Sequence, residues 1–147
     1  MLQLDKYNVF INLGKGGKPP QDYKKIKEHL VFDGKYDGRH KAQCVVDGHF
    51  TDIPVDSVYY GVVSLQGLRM MLFLAELHQL ETWSTDIGNA YFEAETDESV
   101  YIVSGPEFNK REGSTLLIFK ALHGLRSSGA RWHEFFLDIL WDMGFTP

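Results

Sequence analysis

Apolar positions recur with a helical period in two stretches of the chain. Between Val62 and Leu80, the residues Leu65, Leu68, Leu72, Ala75 and Gln79 fall three or four apart, and Met71, Leu74 and Leu77 widen the apolar side. Gln66, Arg69 and Glu76 lie among the more polar positions, so the stretch predicts a helix packing on a sheet. Trp132, Phe135, Phe136, Ile139, Leu140 and Met143 repeat in the same way after Ser127 and Ser128, either of which can cap the helix, and Gly144 is placed to end it. Its aromatics read as core.

Shorter apolar runs predict strands over Tyr7 to Leu13, Ile26 to Asp33, Arg39 to Val46, Glu81 to Thr85, Val100 to Val103 and Thr115 to Phe119. Asp37-Gly38 between the second and third of these is a strong hairpin signal, because such a pair accepts the positive φ that tight turns require. The remaining segments read as connections. Gly14 to Pro20 is a breaker-rich connector that lacks the glycine, lysine and hydroxyl spacing of a phosphate loop. Asp47 to Tyr60 and Gly105 to Gly113 read as loops, and Asn89 to Ala94 as one or two helical turns. Glu93, Glu95, Asp97 and Glu98 read as a solvated acidic turn. Strands and helices in this order make an α+β chain.

Composition narrows the function classes. The 147 residues suit one domain, and 44% hydrophobic residues describe a chain that folds. A net charge of -5 argues against a surface that is everywhere a nucleic-acid platform, yet Lys24, Lys25, Lys27, Lys35, Arg39, His40 and Lys41 cluster about the hairpin. That cluster is either a solvated charged hairpin or one that folds over an anionic ligand. The single Cys44 permits no intrachain disulfide and reads as a buried small residue. Neither a signal peptide nor a run of 18 apolar residues is present, so the expectation is an intracellular chain with no membrane span. No histidines share ligand spacing on one helix, which argues against a zinc enzyme. Asp86, at the tip of the strand expected over Glu81 to Thr85, reads either as the cap of the next helical turn or as a metal ligand.

Landmarks along the chain carry a resemblance. They are Leu30-Val31-Phe32, His40-Lys41-Ala42, Gly61-Val62-Val63, Asp86-Ile87-Gly88-Asn89-Ala90-Tyr91-Phe92, Val100-Tyr101-Ile102, and Lys120 through Ser128 running into Arg131-Trp132. In this order the chain resembles the reverse transcriptase of copia-type LTR retrotransposons, over about residues 24 to 147. The resemblance implies a partial right-hand polymerase fold, fingers plus incomplete palm, with an antiparallel sheet and helices packed on it. Residues 1–23 are then an N-terminal connector with a short strand, and 24–147 a partial reverse transcriptase domain.

The family joins a primer 3′-hydroxyl to the α-phosphate of a deoxynucleoside triphosphate with two Mg²⁺ ions, on an RNA or DNA template-primer. Asp86 matches its first metal-binding aspartate, with the Ile87 carbonyl as a further Mg²⁺ ligand. Tyr91 matches the aromatic that rejects a 2′-hydroxyl, and Lys41 a basic contact to the triphosphate. His123 and Gly124 fall in the segment lining the nucleotide pocket, and Arg126 matches a template or backbone contact.

The departures are Gln43 for an arginine, His123 for a tyrosine, and Ser127-Ser128-Gly129 for a Gln-Ser-Pro-like turn. No Tyr-x-Asp-Asp motif occurs in the sequence, so the expectation is a fragment unable to polymerise alone, with Asp86 near an unpaired sheet edge that favours self-association. The alternatives are a non-catalytic nucleic-acid-binding or protein-interaction module and, more remotely, a metal-dependent nuclease using Asp86 with Glu93 or Glu95.

Overall fold

The computed structural model describes residues 2–50 and 61–146. In chain order it contains α1 (Leu2–Lys6), β1 (Phe10–Lys15), β2 (Lys24–Lys25), β3 (Glu28–Gly34), β4 (His40–Val46), α2 (Leu65–Leu77), β5 (Val100–Val103), β6 (Ser114–Ile118) and α3 (Ser128–Asp142). Four strands form one sheet in the order β1-β6-β5-β2, and β3 and β4 form a separate two-stranded sheet. The β1–β6 and β5–β6 pairs are antiparallel, whereas the short β2 runs parallel to β5. Helices and sheets are mixed, as the order of elements predicts, but the larger sheet is not wholly antiparallel as expected, because β2 joins it parallel to β5.

The core forms where the four-stranded sheet meets the base of the hairpin. Its residues include Val9, Ile26, Val46, Ile102, Leu116 and Leu122. All five residues of β6 are buried, because β6 is a central strand with neighbours on both edges. The N-terminal stretch supplies the other edge: β1 pairs Phe10 with Ile118 and Asn12 with Leu116, then shifts register before Lys15. Gly14 adopts a positive φ at that irregularity, and its N–H is held by the Asn12 side chain at 2.8 Å.

The hairpin follows its local turn chemistry. Glu28 pairs with Val46 and Gly34 with His40, and the Lys35 N–H donates to the Arg39 carbonyl at 2.8 Å. Gly38, at φ +80, makes the left-handed step that closes the loop. Arg39 donates to the Asp37 carboxylate, and these hydrogen bonds hold that carboxyl below its ordinary range.

Two expectations about the middle of the chain fail. Glu81 to Thr85 forms no strand, and those residues are exposed. A strand is held by its neighbour's ladder, and none of the described strands lies beside this one. α2 forms with Ser64 as its cap, accepting from the Gly67 N–H at 3.0 Å, but it does not pack on the sheet: Ala75 is its one buried residue, and Phe73 remains 63% exposed. Asp86 therefore does not stand at a strand tip or beside a sheet edge. Nor does it cap the next turn, since the residue before the 3₁₀ segment Ala90–Glu93 is Asn89, in the left-handed conformation that Asn tolerates.

Glu93, Glu95 and Asp97 of the acidic run are exposed, as expected, whereas Glu98 is tied down. The Ser127 N–H and hydroxyl both donate to Glu98, at 2.9 and 2.8 Å, and Lys120 reaches Glu95 at 3.5 Å. Arg131 lies 3.9 Å from Asp97. The predicted loop over Gly105 to Gly113 contains a 3₁₀ segment, Pro106–Arg111. α3 ends as expected: the Gly144 N–H donates to the Trp141 carbonyl and the Phe145 N–H to the Leu140 carbonyl, both at 2.9 Å, with Gly144 at φ +86. Its Trp132 and Phe136 are half-buried and stack on one another with ring centroids 5.5 Å apart. The loop expected over Asp47 to Tyr60 begins with a 3₁₀ turn, Gly48–Phe50, and its remainder lies outside the described residues.

Candidate functional site

A groove of about 570 Å³ runs between the hairpin and the segment that carries Asp86. Its walls come from widely separated parts of the chain. β4 contributes Lys41, Ala42, Gln43 and Cys44; the second wall is the continuous run from Asp86 to Phe92; and His123 closes the inner side. Leu30, Lys35 and Glu107 also line it. Five of the seven residues singled out from the sequence, Lys41, Asp86, Ile87, Tyr91 and His123, thus border one space.

Each wall has a local cause. The hairpin presents its cations because its turn reverses the chain so that Lys35, in the turn, and Lys41, on β4, both reach the groove. Asn89, at φ +58, starts the 3₁₀ turn that carries Tyr91 and Phe92, and Phe92 drops into the core while Tyr91 stays half-buried at the groove. The Tyr91 and His123 rings lie 4.8 Å apart at 51°, and Phe92 meets His123 edge-on at 6.4 Å. Tyr7 extends this aromatic row by packing edge-on against Phe92 at 5.8 Å.

His123 is half-buried, and burial first, then the Lys41 ammonium, push its imidazole below the ordinary histidine range. It is therefore neutral at pH 7, a flat ring rather than a cation. Cys44 behaves as predicted: it is buried at 7% exposure, and burial, reinforced by Glu28 and Glu107, pushes its thiol up to about 11. It is an inert wall residue.

Gly124 and Arg126 are elsewhere employed. Gly124 adopts φ +101, and a Cβ there would fall 1.9 Å from the Val46 carbonyl oxygen. Beside it the Val46 N–H donates to the His123 carbonyl at 2.9 Å. The Arg126 guanidinium donates to the carbonyls of Gly48 at 3.2 Å and His49 at 2.8 Å. Together these contacts fasten the segment after β6 to the end of β4. Neither residue lines the groove.

Glu107 and Glu28 carried no recognisable sequence signal. Glu28 accepts from the Gly105 N–H at 3.2 Å, and the Glu107 carboxylate folds back over Gly105, where a Cβ would come within 2.6 Å of both its oxygens. Burial, with the adjoining Glu107, raises the Glu28 carboxyl above its ordinary range. Only the long-range contact between the hairpin base and the 3₁₀ segment brings this pair together.

The donor set does not make a two-metal centre. Asp86 is exposed, and among the described residues no three His, Cys, Asp or Glu side chains are grouped to hold a cation. Octahedral Mg²⁺ at one carboxylate would draw its other ligands from water and a bound phosphate. Glu93 and Glu95 do not line the groove, so they do not complete a nuclease site with Asp86. No helix among the described residues is long and apolar enough to cross a membrane.

Comparison with known proteins gives a consistent set of relatives. The model of the family described as "Reverse transcriptase (RNA-dependent DNA polymerase)" matches residues 15–147. The Transposon Ty1-BL Gag-Pol polyprotein of Saccharomyces cerevisiae is 31% identical over 111 residues, which is 74% of this chain and 6% of that polyprotein. The Transposon Ty1-DR4 Gag-Pol polyprotein of the same organism is likewise 31% identical over 74% of this chain and 7% of its own length. The chain thus spans only 6 to 7% of these two curated relatives. No solved structure matches it. A match over nearly the whole chain, joined to retrotransposon polyproteins at this identity, makes the chain a member of the reverse transcriptase family, of the copia type.

Proposed function

We propose that the groove binds a deoxynucleoside triphosphate as the nucleotide site of a right-hand reverse transcriptase, with the hairpin as fingers and the Asp86 region as part of the palm. The observation that carries this is the convergence of Lys41, Asp86, Tyr91 and His123, from distant parts of the sequence, on one space. Lys35 and Lys41 supply point charges for phosphate at the hairpin side. Tyr91 and His123 offer an aromatic wall for the sugar. Asp86 and the Ile87 carbonyl would contribute oxygens to a phosphate-bound Mg²⁺.

One carboxylate does not fix two divalent ions against their hydration, so the 147-residue chain binds nucleotide without polymerising. The test is paired. Titration with dATP and Mg²⁺ should show saturable binding that Lys41→Ala weakens, whereas primer extension on an RNA template should be absent. Extension abolished by Asp86→Asn would overturn the claim of inactivity, and no dATP binding at low salt would overturn the site.

A second reading is favoured by the hairpin itself. Phe32 and the fully exposed Tyr36 stand among Lys35, Arg39 and Lys41, an arrangement suited to stacking and phosphate contact with RNA or DNA. A non-catalytic nucleic-acid-binding module would bind an RNA–DNA hybrid in a salt-sensitive way, more weakly after Lys41→Ala, without any nucleotide requirement. Self-association is also proposed, through the uncovered apolar side of α2 rather than through a sheet edge.

A further inference from the structure

The structure gives His123 a contact that a groove lining alone does not require. Its ring lies against Tyr91 at 4.8 Å and against Phe92 at 6.4 Å, so it is held between the groove aromatic and the core aromatic of the same 3₁₀ turn. Its backbone is held as well. The His123 carbonyl accepts the Val46 N–H at 2.9 Å, and the close approach of Gly124 to the Val46 carbonyl leaves no slack in that joint. Val46 ends the strand on which Lys41 lies. His123 therefore links the strand bearing the phosphate-side cation to the turn bearing Tyr91.

We propose that His123 is a positioning residue that holds the Tyr91 ring at the groove and thereby sets the preference for a sugar lacking the 2′-hydroxyl. This rests on the nucleotide reading of the groove. An aromatic such as Tyr91 excludes a hydroxyl only if its ring cannot swing aside, and a packed neighbouring ring blocks that rotation. The neutral imidazole serves as such a neighbour, consistent with the burial that disfavours its charged form. Protonation would place a cation beside Lys41, in a groove also lined by Lys35, Asp86, Tyr91 and Glu107, and would loosen the ring contact through repulsion from the lysine.

The experiment uses the 147-residue chain, its His123→Ala and His123→Phe variants, and titrations with dATP and ATP in the presence of Mg²⁺. The wild type is expected to prefer dATP. His123→Ala should reduce that preference by about 3- to 10-fold, the range for loss of one aromatic contact. His123→Phe restores a ring and should keep the preference.

A nucleotide-free measurement separates the two claims. Tyr91 ring resonances followed by NMR should titrate with the imidazole, below pH 6.5, in the wild type and not in His123→Phe. As pH falls below 6.5 the wild type should also lose part of its dATP preference, and His123→Phe should not. Tyr91 resonances indifferent to the imidazole, or an unchanged preference in His123→Ala, overturn the positioning role even where nucleotide binds. A wild type that shows the Tyr91–His123 titration but binds no triphosphate overturns the nucleotide reading and, with it, the role in sugar choice.

Discussion

β6 and α2 are both apolar in sequence, yet they end in opposite environments. Every residue of Ser114–Ile118 is buried, whereas Leu65–Leu77 buries only Ala75 and leaves Leu65 and Leu77 more than 60% exposed. The strand lies between β1 and β5, so its neighbours complete both its hydrogen-bond ladder and its packing. The helix satisfies its backbone internally and can form without a partner for its side chains. An apolar helix is thus a statement about what it can bury, and a central strand is a statement about what already surrounds it.

Core truncation should separate the two regions most widely. Ile102→Ala, at a position with 0% exposure beside β6, should lose roughly 2 to 5 kcal/mol in urea unfolding. Phe73→Ser in α2 should change monomer stability by less than about 0.5 kcal/mol. Equal losses would break the contrast. The same Phe73→Ser change should lower the association state seen by sedimentation, since it removes exposed apolar surface from the helix.

A smaller effect concerns the joint between β4 and the segment after β6. Arg126→Gln removes a charged donor from the Gly48 and His49 carbonyls and should cost roughly 1 to 2 kcal/mol without any nucleic acid present. Unchanged unfolding, together with weakened hybrid binding, would return Arg126 to the template contact that the family resemblance implies.

The smallest expected effect is one of slope. Glu28 has a raised carboxyl, so its contribution is present below its unfolded value near 4.5 and is lost as pH rises through the folded value. His123 has a lowered imidazole, so its contribution is present above 6.5 and is lost as pH falls through the folded value. Glu28→Gln should flatten the fall in stability on the alkaline side of pH 4.5, and His123→Phe the fall on the acid side of pH 6.5. Thermal unfolding across pH 4 to 8 measures both.

What the sequence made legible was local. Asp37-Gly38 announced the hairpin because its turn chemistry is contained in adjacent residues, and Gly144 announced the end of α3 for the same reason. β5 was found over its full range from an apolar run. Lys41, Asp86, Tyr91 and His123 were singled out by resemblance, and the fold brings them to one groove. The misses depend on partners elsewhere. Glu81 to Thr85 had a strand's composition and no described neighbour, and Glu98 looked solvated because Ser127, its partner, lies far along the chain. Gly124 and Arg126 were singled out as ligand contacts by resemblance, and their further part in fastening this segment to the end of β4 appears only when β4 is beside them.

By itself the sequence determined the hairpin turn, the C-terminal end of α3, the family and the residue types available to a nucleotide. Those depend on backbone conformations and motif order that neighbouring residues dictate. Only the tertiary structure decided which apolar surfaces are covered, which acids are paired, and that His123 rests on Tyr91 while α2 stands bare. Burial and ring contact are made between residues distant in the chain, and the sequence carries no local record of who meets whom.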